Sequence, residues 1–330
     1  MEKTVYYLET HSQNPYYNLA FEEYVLCHRT EGDYLLLWQN DNTIVVGRNQ
    51  NTEAEINRAF VEEHHINVVR RGTGGGAVYH DLGNLNYSFI TDVGDDGISI
   101  HRFTQPVVAA LRSLGLNAEA SGRNDILVEG RKVSGTAQRR HAGRILHHGT
   151  LLFDANPGMV AGALNVDPEK FRSKSTKSVR ARIGNIRDFL PVDMDLPAFW
   201  TYLKDALSGG GLTPDALTAD ELAAVERLKT EKYDTWAWNY GRSPKFDVTR
   251  KRYWDGGCLE ASVSIADGRI TDIRFCGDFL AVRDMEELLA ALKGTAYRPE
   301  AVRPVLEASP VAELFGAITA DEVIATLFDL

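Results

Sequence analysis

The sequence predicts an α+β protein made of a large domain with a mostly antiparallel sheet and a small α+β domain at its C-terminal end. Three observations lead there. Short β-type runs outnumber helical ones, neighbouring runs are joined by tight turns instead of helical crossovers, and the residues after about 243 repeat the strand–helix mixture on a smaller scale.

Taken in order, Asn14-Pro15 starts a helix, with Asn as cap and Pro at the first helical position, and Tyr17, Ala20, Phe21, Tyr24 and His28 follow at helical spacing. Strands are expected at Tyr34 to Trp38, at Thr43 to Val46, and from Ile66 to Arg71, the last running into a glycine cluster. Leu85, Tyr87 and Phe89 alternate with Asn86 and Ser88, as in a half-buried strand. Phe103, Val107, Ala110, Leu111 and Leu114 form an amphipathic helix closed by Gly115. Ile126 to Glu129, a turn at Gly130-Arg131 and a strand from Lys132 make a hairpin, and Ile145 to Phe153 gives a further strand. The stretch from Asp215 to Tyr233 reads as helix until Trp236-Ala237-Trp238-Asn239-Tyr240-Gly241-Arg242-Ser243-Pro244 breaks the pattern. The domain boundary is placed there, giving domains 1–243 and 244–330; the second alternates around Val263 and Ile265, turns at Asp267-Gly268, resumes at Ile270 and Ile273, and continues into a helix from Asp284.

Composition narrows the function. With 44% hydrophobic and 25% charged residues, a packed core is expected and disorder is not. A net charge of −10 disfavours a nucleic-acid binder, and no apolar run reaches the length of a membrane helix, so a cytoplasmic protein is expected. The opening residues Met1 to Tyr7 do not read as a secretion signal. Cys27, Cys258 and Cys276 are too few and too scattered for a disulfide framework or a zinc site, and read as reduced structural thiols.

The most informative run is Arg70-Arg71-Gly72-Thr73-Gly74-Gly75-Gly76-Ala77-Val78-Tyr79-His80. Three glycines leave peptide N–H groups uncovered, and two arginines at the mouth carry forks of donors suited to phosphate or carboxylate. It is neither a Walker loop nor a dinucleotide fingerprint, and taken alone it also fits a tight turn with solvated arginines. Lys132 opens a strand ahead of Ser134-Gly135; it suits a leaving phosphate, although a lysine after a turn is ordinarily solvated. His147 and His148, adjacent in a strand, point to opposite faces, which argues for packing instead of joint metal binding.

These runs together resemble the lipoate–protein ligase family. RRGTGGGAVYHDLGNLNYSF (70–89), SGRNDILVEGRKVSGTA (121–137), HHGTLLFD (147–154) and KSTKSVRARIGNI (174–186) match its signatures in order, and WAWNYGRSPKF (236–246) resembles the start of its accessory domain. Thr73 departs from the serine of many relatives but keeps the hydroxyl. The resemblance implies a biotin-ligase-like fold and a two-step reaction in which lipoate is activated by ATP to lipoyl-AMP, with release of pyrophosphate, and then passed to a lysine of an acceptor protein. The acceptors implied are the lipoyl domains of 2-oxoacid dehydrogenase E2 subunits and the glycine cleavage H protein. It also implies that Arg71, Gly75, Gly76, Ala77, Val78, Tyr79 and Lys132 hold ATP and the adenylate. Trp38, Arg71, Thr73, Gly75, His80, Lys132, Ser134, Gly135 and Thr150 would contact lipoate, with Lys132 the catalytic cation. Mg²⁺ is implied by ATP use, its ligands unread except for Asp125 as a candidate. The segment Lys170, Arg172, Lys174, Lys177, Arg180, Arg182 and Arg187 resembles a loop that closes over the adenylate and could attract acidic acceptors; its bland alternative is a solvated face. The rivals are a thioester acyltransferase of the same fold, a biotin ligase, and a non-catalytic lipoate-binding protein. The first needs a thiolate in the acyl site, and no cysteine lies in the motif segments.

Overall fold

The computed structural model describes residues 4–94, 99–164, 183–208, 211–240 and 247–328. Its main sheet is built from β1 (Val5–Glu9), β2 (Asp33–Trp38), β6 (Asn84–Asp92), β7 (Ala118–Ser121), β8 (Asp125–Val128), β9 (Arg131–His141), β10 (Arg144–Leu152) and β11 (Leu212–Pro214). They lie in the order β11-β1-β2-β6-β10-β9-β8-β7. Pairing is antiparallel except at one edge, where β1 runs parallel to both β2 and β11. A small sheet in the order β4-β3-β5 combines β3 (Thr43–Val46), β4 (Asn67–Arg70) and β5 (Val78–His80).

The main sheet is buried on both faces. Leu35, Leu37, Tyr87, Val128 and Phe153 pack beneath the helices Ile100–Ser113 and Leu196–Leu207, through Val107, Leu111, Phe199 and Leu203. On the other face Leu36, Trp38 and Leu146 meet helix α1 (Pro15–His28) through Leu19, Phe21 and Val25, with Val225 and Tyr233 completing the cluster. The alternation in β6 is therefore present, but the strand is not half-buried as expected: Asn86 and Ser88 are 2% and 0% exposed. Ser88 is tolerated there because it bonds Trp38 and Glu22, and the Asn86 side-chain oxygen accepts from Asn84 Nδ2 at 3.1 Å.

Helix α1 starts at Pro15, where Asn14 Oδ1 accepts from the N–H groups of Tyr16 and Tyr17 at 3.0 and 3.1 Å. Of the stripe expected, Ala20 and Phe21 are buried, but the rest of the buried face is rotated away from Tyr17, Tyr24 and His28. Asn18, Leu19, Glu22, Val25 and Leu26 face inward, whereas Tyr17 and Tyr24 are half-buried and His28 is exposed. The β8–β9 turn is centred on Glu129 and Gly130, with φ of 50° and 73°, one residue earlier than expected. This is the double left-handed turn that matches strand twist. The helix expected over 215–233 spans Ala219–Leu228 and widens into a π-turn at Lys229–Tyr233, while Trp236–Asn239 adds a turn of helix under a Thr235 cap.

The C-terminal region has its own antiparallel sheet of β12 (Val248–Trp254), β13 (Gly257–Ala266) and β14 (Arg269–Gly277). It packs against helices Glu286–Leu292, Pro299–Glu307 and Ala320–Phe328 around Leu259, Val263, Phe275, Leu288, Leu306 and Phe315. The boundary expected at 243/244 lies outside the described residues. The segment after β14 meets the glycine loop edge to edge: Gly74 N–H donates to Ala281 O at 3.2 Å and Gly75 N–H to Phe279 O at 3.1 Å. Arg140 N–H donates to Val282 O at 2.8 Å, and ion pairs Arg140–Glu313 (2.6 Å) and Arg48–Asp284 (2.7 Å) flank the contact.

Candidate active site

A cavity of about 110 Å³ lies between the main sheet and the cover formed by α1 and the small sheet. Its floor is a row across three strands: Trp38 in β2 opposes Asn86 in β6, which opposes Thr150 in β10. Thr150 Oγ1 then accepts from Gly135 N–H in β9 at 3.2 Å. Gly149 must be glycine, since a Cβ there would lie 2.6 Å from the Tyr87 hydroxyl oxygen beneath it.

Lys132 reaches this cavity because β9 bulges. Ile126 pairs with Ser134 and Leu127 with Lys132, so Val133 has no partner of its own and drops into the core below the sheet. The displaced Lys132 lies along Gly135, where a Cβ would be only 3.1 Å from its ammonium nitrogen. That ammonium pairs with Asp125 at 2.7 Å, and both side chains are about one-third exposed at 37% and 34%.

The two arginines are not at the mouth of the site, as expected, but inside the protein, 6% and 7% exposed. Arg71 shapes the glycine loop from within. Its Nη2 donates to Gly74 O (2.6 Å) and Gly76 O (2.8 Å), Nη1 to Val45 O (3.2 Å) and Nε to Thr73 Oγ1 (2.9 Å). Burial lowers its pKa to about 10. Arg70 binds the carbonyls of Gly47, Arg48, Gln50, Trp238 and Asn239 together with the Thr52 hydroxyl. It thereby fastens the loop 47–52 and the turn Trp236–Asn239 to β4. Gly47 in that loop is as constrained as the glycine triplet, because a Cβ would fall 1.9 Å from Gly75 O.

Behind the cavity runs a buried polar chain that sequence reading missed. Trp38 Nε1–H donates to Ser88 Oγ (2.9 Å) and Ser88 Oγ–H to Glu22 Oε1 (2.5 Å). His148 Nδ1 lies 2.9 Å from the same oxygen, and its Nε2 lies 2.8 Å from Thr73 Oγ1, which accepts from Arg71. Five elements are locked together by these contacts. The available signal was Asn18 and Glu22, two polar residues four apart on the apolar side of α1, a spacing that puts both on one face.

Of the residues expected at the site, Trp38, Arg71, Gly76, Ala77, Val78, His80, Lys132, Gly135 and Thr150 line the cavity. Four do not. Thr73 sits behind it between Arg71 and His148, and Gly75 packs toward Leu280. Tyr79 turns its hydroxyl to Asn42 (2.9 Å), and Ser134 is fully buried on the opposite side of β9, toward Tyr87. Leu19, Val45, Asn86, Asn124, Thr136, Ala137, His148 and Gly149 line it without having been singled out as ligand contacts. His147 points to the far face and stacks on Phe103, as adjacent strand positions require. The residues Lys170 to Arg182 lie outside the described residues; Arg187 pairs with Asp154 (2.8 Å) and Asp193 (3.3 Å). Among the described residues no three His, Cys, Asp or Glu side chains cluster as a metal site.

Gly75 has φ of +88°, and a Cβ there would lie 3.0 Å from Arg71 Nη2 and 3.3 Å from Leu280 Cδ2. Gly75→Val is therefore expected to cost on the order of 1–3 kcal/mol of stability and to distort the loop. Calorimetry on the folded variant should show loss of nucleotide and acyl-acid binding; undiminished binding would reduce the loop to an ordinary turn.

Comparison with known proteins places these features in context. Residues 14–208 match the family described as lipoyl protein ligase A/B catalytic domain, and residues 243–327 match the bacterial lipoate protein ligase C-terminus. The lipoate-protein ligase LplJ of Bacillus subtilis is 43% identical over 323 residues, covering 96% of this chain and 97% of its own. A bipartite lipoate protein ligase of Thermoplasma acidophilum, studied with its E2 lipoyl domain, superposes with a TM-score of 0.64 at 32% identity, over 75% of this chain and 100% of that one. A lipoate-protein ligase A bound with ATP gives a TM-score of 0.64 at 29% identity, over 73% and 99%.

Proposed function

The chain belongs to the lipoate–protein ligase family, and from that premise we propose how its cavity makes lipoyl-AMP and delivers the acyl group. The observation that carries the reading is the placement of Lys132 by the β9 bulge at one end of a cavity whose other walls are Leu19, Trp38, Val45 and Val78. One end offers a cation for a carboxylate and a phosphate. The rest suits an aliphatic chain.

In the first step a lipoate carboxylate oxygen attacks the α-phosphorus of ATP, and the bond to pyrophosphate breaks. Lys132 holds the carboxylate against the phosphate and offsets the charge that develops on the phosphoryl oxygens. Gly76, Ala77 and Val78, curved by Arg71, form the wall along which we place the adenylate, with Gly75 and Tyr79 supporting that wall. In the second step the amine of an acceptor lysine attacks the acyl carbonyl, forming the amide, and AMP leaves with the bonding pair. The cavity keeps the mixed anhydride from water. Mg²⁺ arriving on the phosphates would supply further charge neutralisation. Asp125, a hard carboxylate ligand beside Lys132, fits as the residue that would hold it.

We assign residues 1–243 to adenylation and transfer and 244–330 to an accessory domain. The acceptors we infer are lipoyl domains of E2 subunits and the glycine cleavage H protein. No helix among the described residues is long and apolar enough to cross a membrane.

ATP–pyrophosphate exchange with lipoate, octanoate and biotin tests this reading. Exchange should depend on lipoate or octanoate and fail with biotin; exchange driven by biotin alone, or no exchange, would overturn it. Replacing Cys27, Cys258 and Cys276 together by alanine should leave ATP-dependent lipoylation within a few-fold of wild type, because no thiol is needed. Burial raises the pKa of Cys27 and Cys276, the reverse of nucleophile activation. A folded but inactive cysteine-free protein would favour the thioester route.

A further inference from the structure

The cavity holds a hydrogen-bond donor that the chemistry at Lys132 does not use. His80 is 3% exposed, and among the described residues nothing bonds its Nε2, while its Nδ1 lies 3.2 Å from Asn40 Nδ2. The position of the ring proton follows from bonds that begin at main-chain carbonyls. The Asn18 side chain contacts Ser12 O at 3.0 Å and Gln39 O at 2.7 Å, so the contacting atom must be its amide nitrogen. The same nitrogen lies 2.9 Å from the Asn40 amide, which must present its oxygen there and therefore its NH₂ to His80. A ring nitrogen that accepts carries no hydrogen. His80 is thus the Nε2–H tautomer, with an unpaired donor at a cavity wall. Burial, reinforced by Arg71 and His148, lowers its pKa to about 3 and keeps the ring neutral.

Its place in the cavity matters. Asn40 follows Trp38 at the end of β2, and Lys132 stands on β9, with β6 and β10 between. Three strand spacings put these ends roughly 14 Å apart. A carboxylate held at Lys132 therefore sends the tail of its acyl chain toward Trp38 and His80. Asn86, opposite Trp38, adds a second amide nitrogen with no partner among the described residues. A purely apolar tail would leave these buried donors unsatisfied, whereas a tail bearing sulfur offers lone pairs, weak acceptors but acceptors.

We infer that His80 is a specificity-determining residue: its Nε2–H donates to a ring sulfur of the dithiolane and favours lipoate over a straight-chain fatty acid of the same length. This rests on the reading above that the carboxylate sits at Lys132. Asn18 and Asn40 are positioning residues, which set the tautomer without touching the substrate.

The test compares kcat/KM for ATP–pyrophosphate exchange with lipoate and with octanoate in the full-length protein and in His80→Phe and His80→Gln. The wild type should prefer lipoate. His80→Phe should lose about tenfold of that preference, mainly through the KM for lipoate. His80→Gln, whose amide can accept from Asn40 and still donate into the cavity, should keep it. If the phenylalanine variant does not fold, ¹⁵N-histidine NMR of the wild type and the glutamine kinetics decide. A hydrogen on Nδ1, or a glutamine variant that loses the preference, overturns the inference. An active enzyme that does not discriminate, or whose preference survives His80→Phe, overturns this inference alone; a wild type inert toward both acids overturns the functional reading and this inference with it.

Discussion

Lys132→Ala is expected to slow adenylate formation by on the order of 10²–10³-fold while barely changing the unfolding temperature. The two halves of that expectation have separate origins. The ammonium is the cation we assign to both the attacking carboxylate and the phosphate, and charge stabilisation of this kind is lost whole when the donor is removed. Its contribution to folding is small, because the side chain is 37% exposed and its ion pair is with an equally accessible Asp125. The backbone position is also undemanding, since alanine can occupy the edge of a bulge. Pyrophosphate exchange and a thermal melt on the same sample check the result. Near wild-type exchange would remove Lys132 from the mechanism, and a collapsed melting temperature would make it structural.

Arg70→Ala is expected to do the reverse, costing about 3–5 kcal/mol of stability before any effect on chemistry is considered. Arg70 is buried, and its six hydrogen-bond partners are five carbonyls and a hydroxyl, all neutral. Burial without a carboxylate lowers its pKa to about 10, so it remains charged at neutral pH and its donors remain available. Truncation leaves those acceptors facing a void, at the full cost of unsatisfied buried groups. Urea denaturation with an unchanged slope should report the loss. A change under 1 kcal/mol would mean that water replaces the guanidinium. Because Gly47 presses against Gly75 O, any surviving folded fraction should also bind nucleotide more weakly.

What the sequence made legible follows from how local each feature is. The Asn14 cap, the Asp267-Gly268 hairpin and the strand before the glycine cluster are settled within a few residues, and all are present. The stripe of α1 was misjudged because two of its inward positions are Asn18 and Glu22, which a search for apolar spacing passes over. Strand β1 pairs parallel to β2 across an intervening helix and so leaves no hairpin signal. The arginines were misplaced for a related reason. A guanidinium buried among carbonyls has the same local sequence as one in solvent, and only the fold brings loop 47–52 and residues 238–239 to Arg70. Ser134, which the family resemblance assigned to lipoate, lies across β9 from Lys132, because the bulge at Val133 puts the two on opposite sides.

That bulge has a consequence for how this strand tolerates change. A β-strand is a two-valued code, odd positions to one layer and even to the other, and a single extra residue inverts the code for everything upstream. In β9 the inversion hands Lys132 to the layer above the sheet while Val133 and Ser134 both stay below, so two residues two apart, Lys132 and Ser134, serve different compartments. Length changes upstream of Val133 can then be absorbed by the turn without disturbing Gly135 or Ala137. A loss at Val133 itself would restore the simple alternation with Lys132 still opposite Leu127 and still in the upper layer, whereas closing the bulge with every residue kept would turn the lysine into the core. Substitutions alter what a position contributes; here the count of residues decides which side of the sheet receives it.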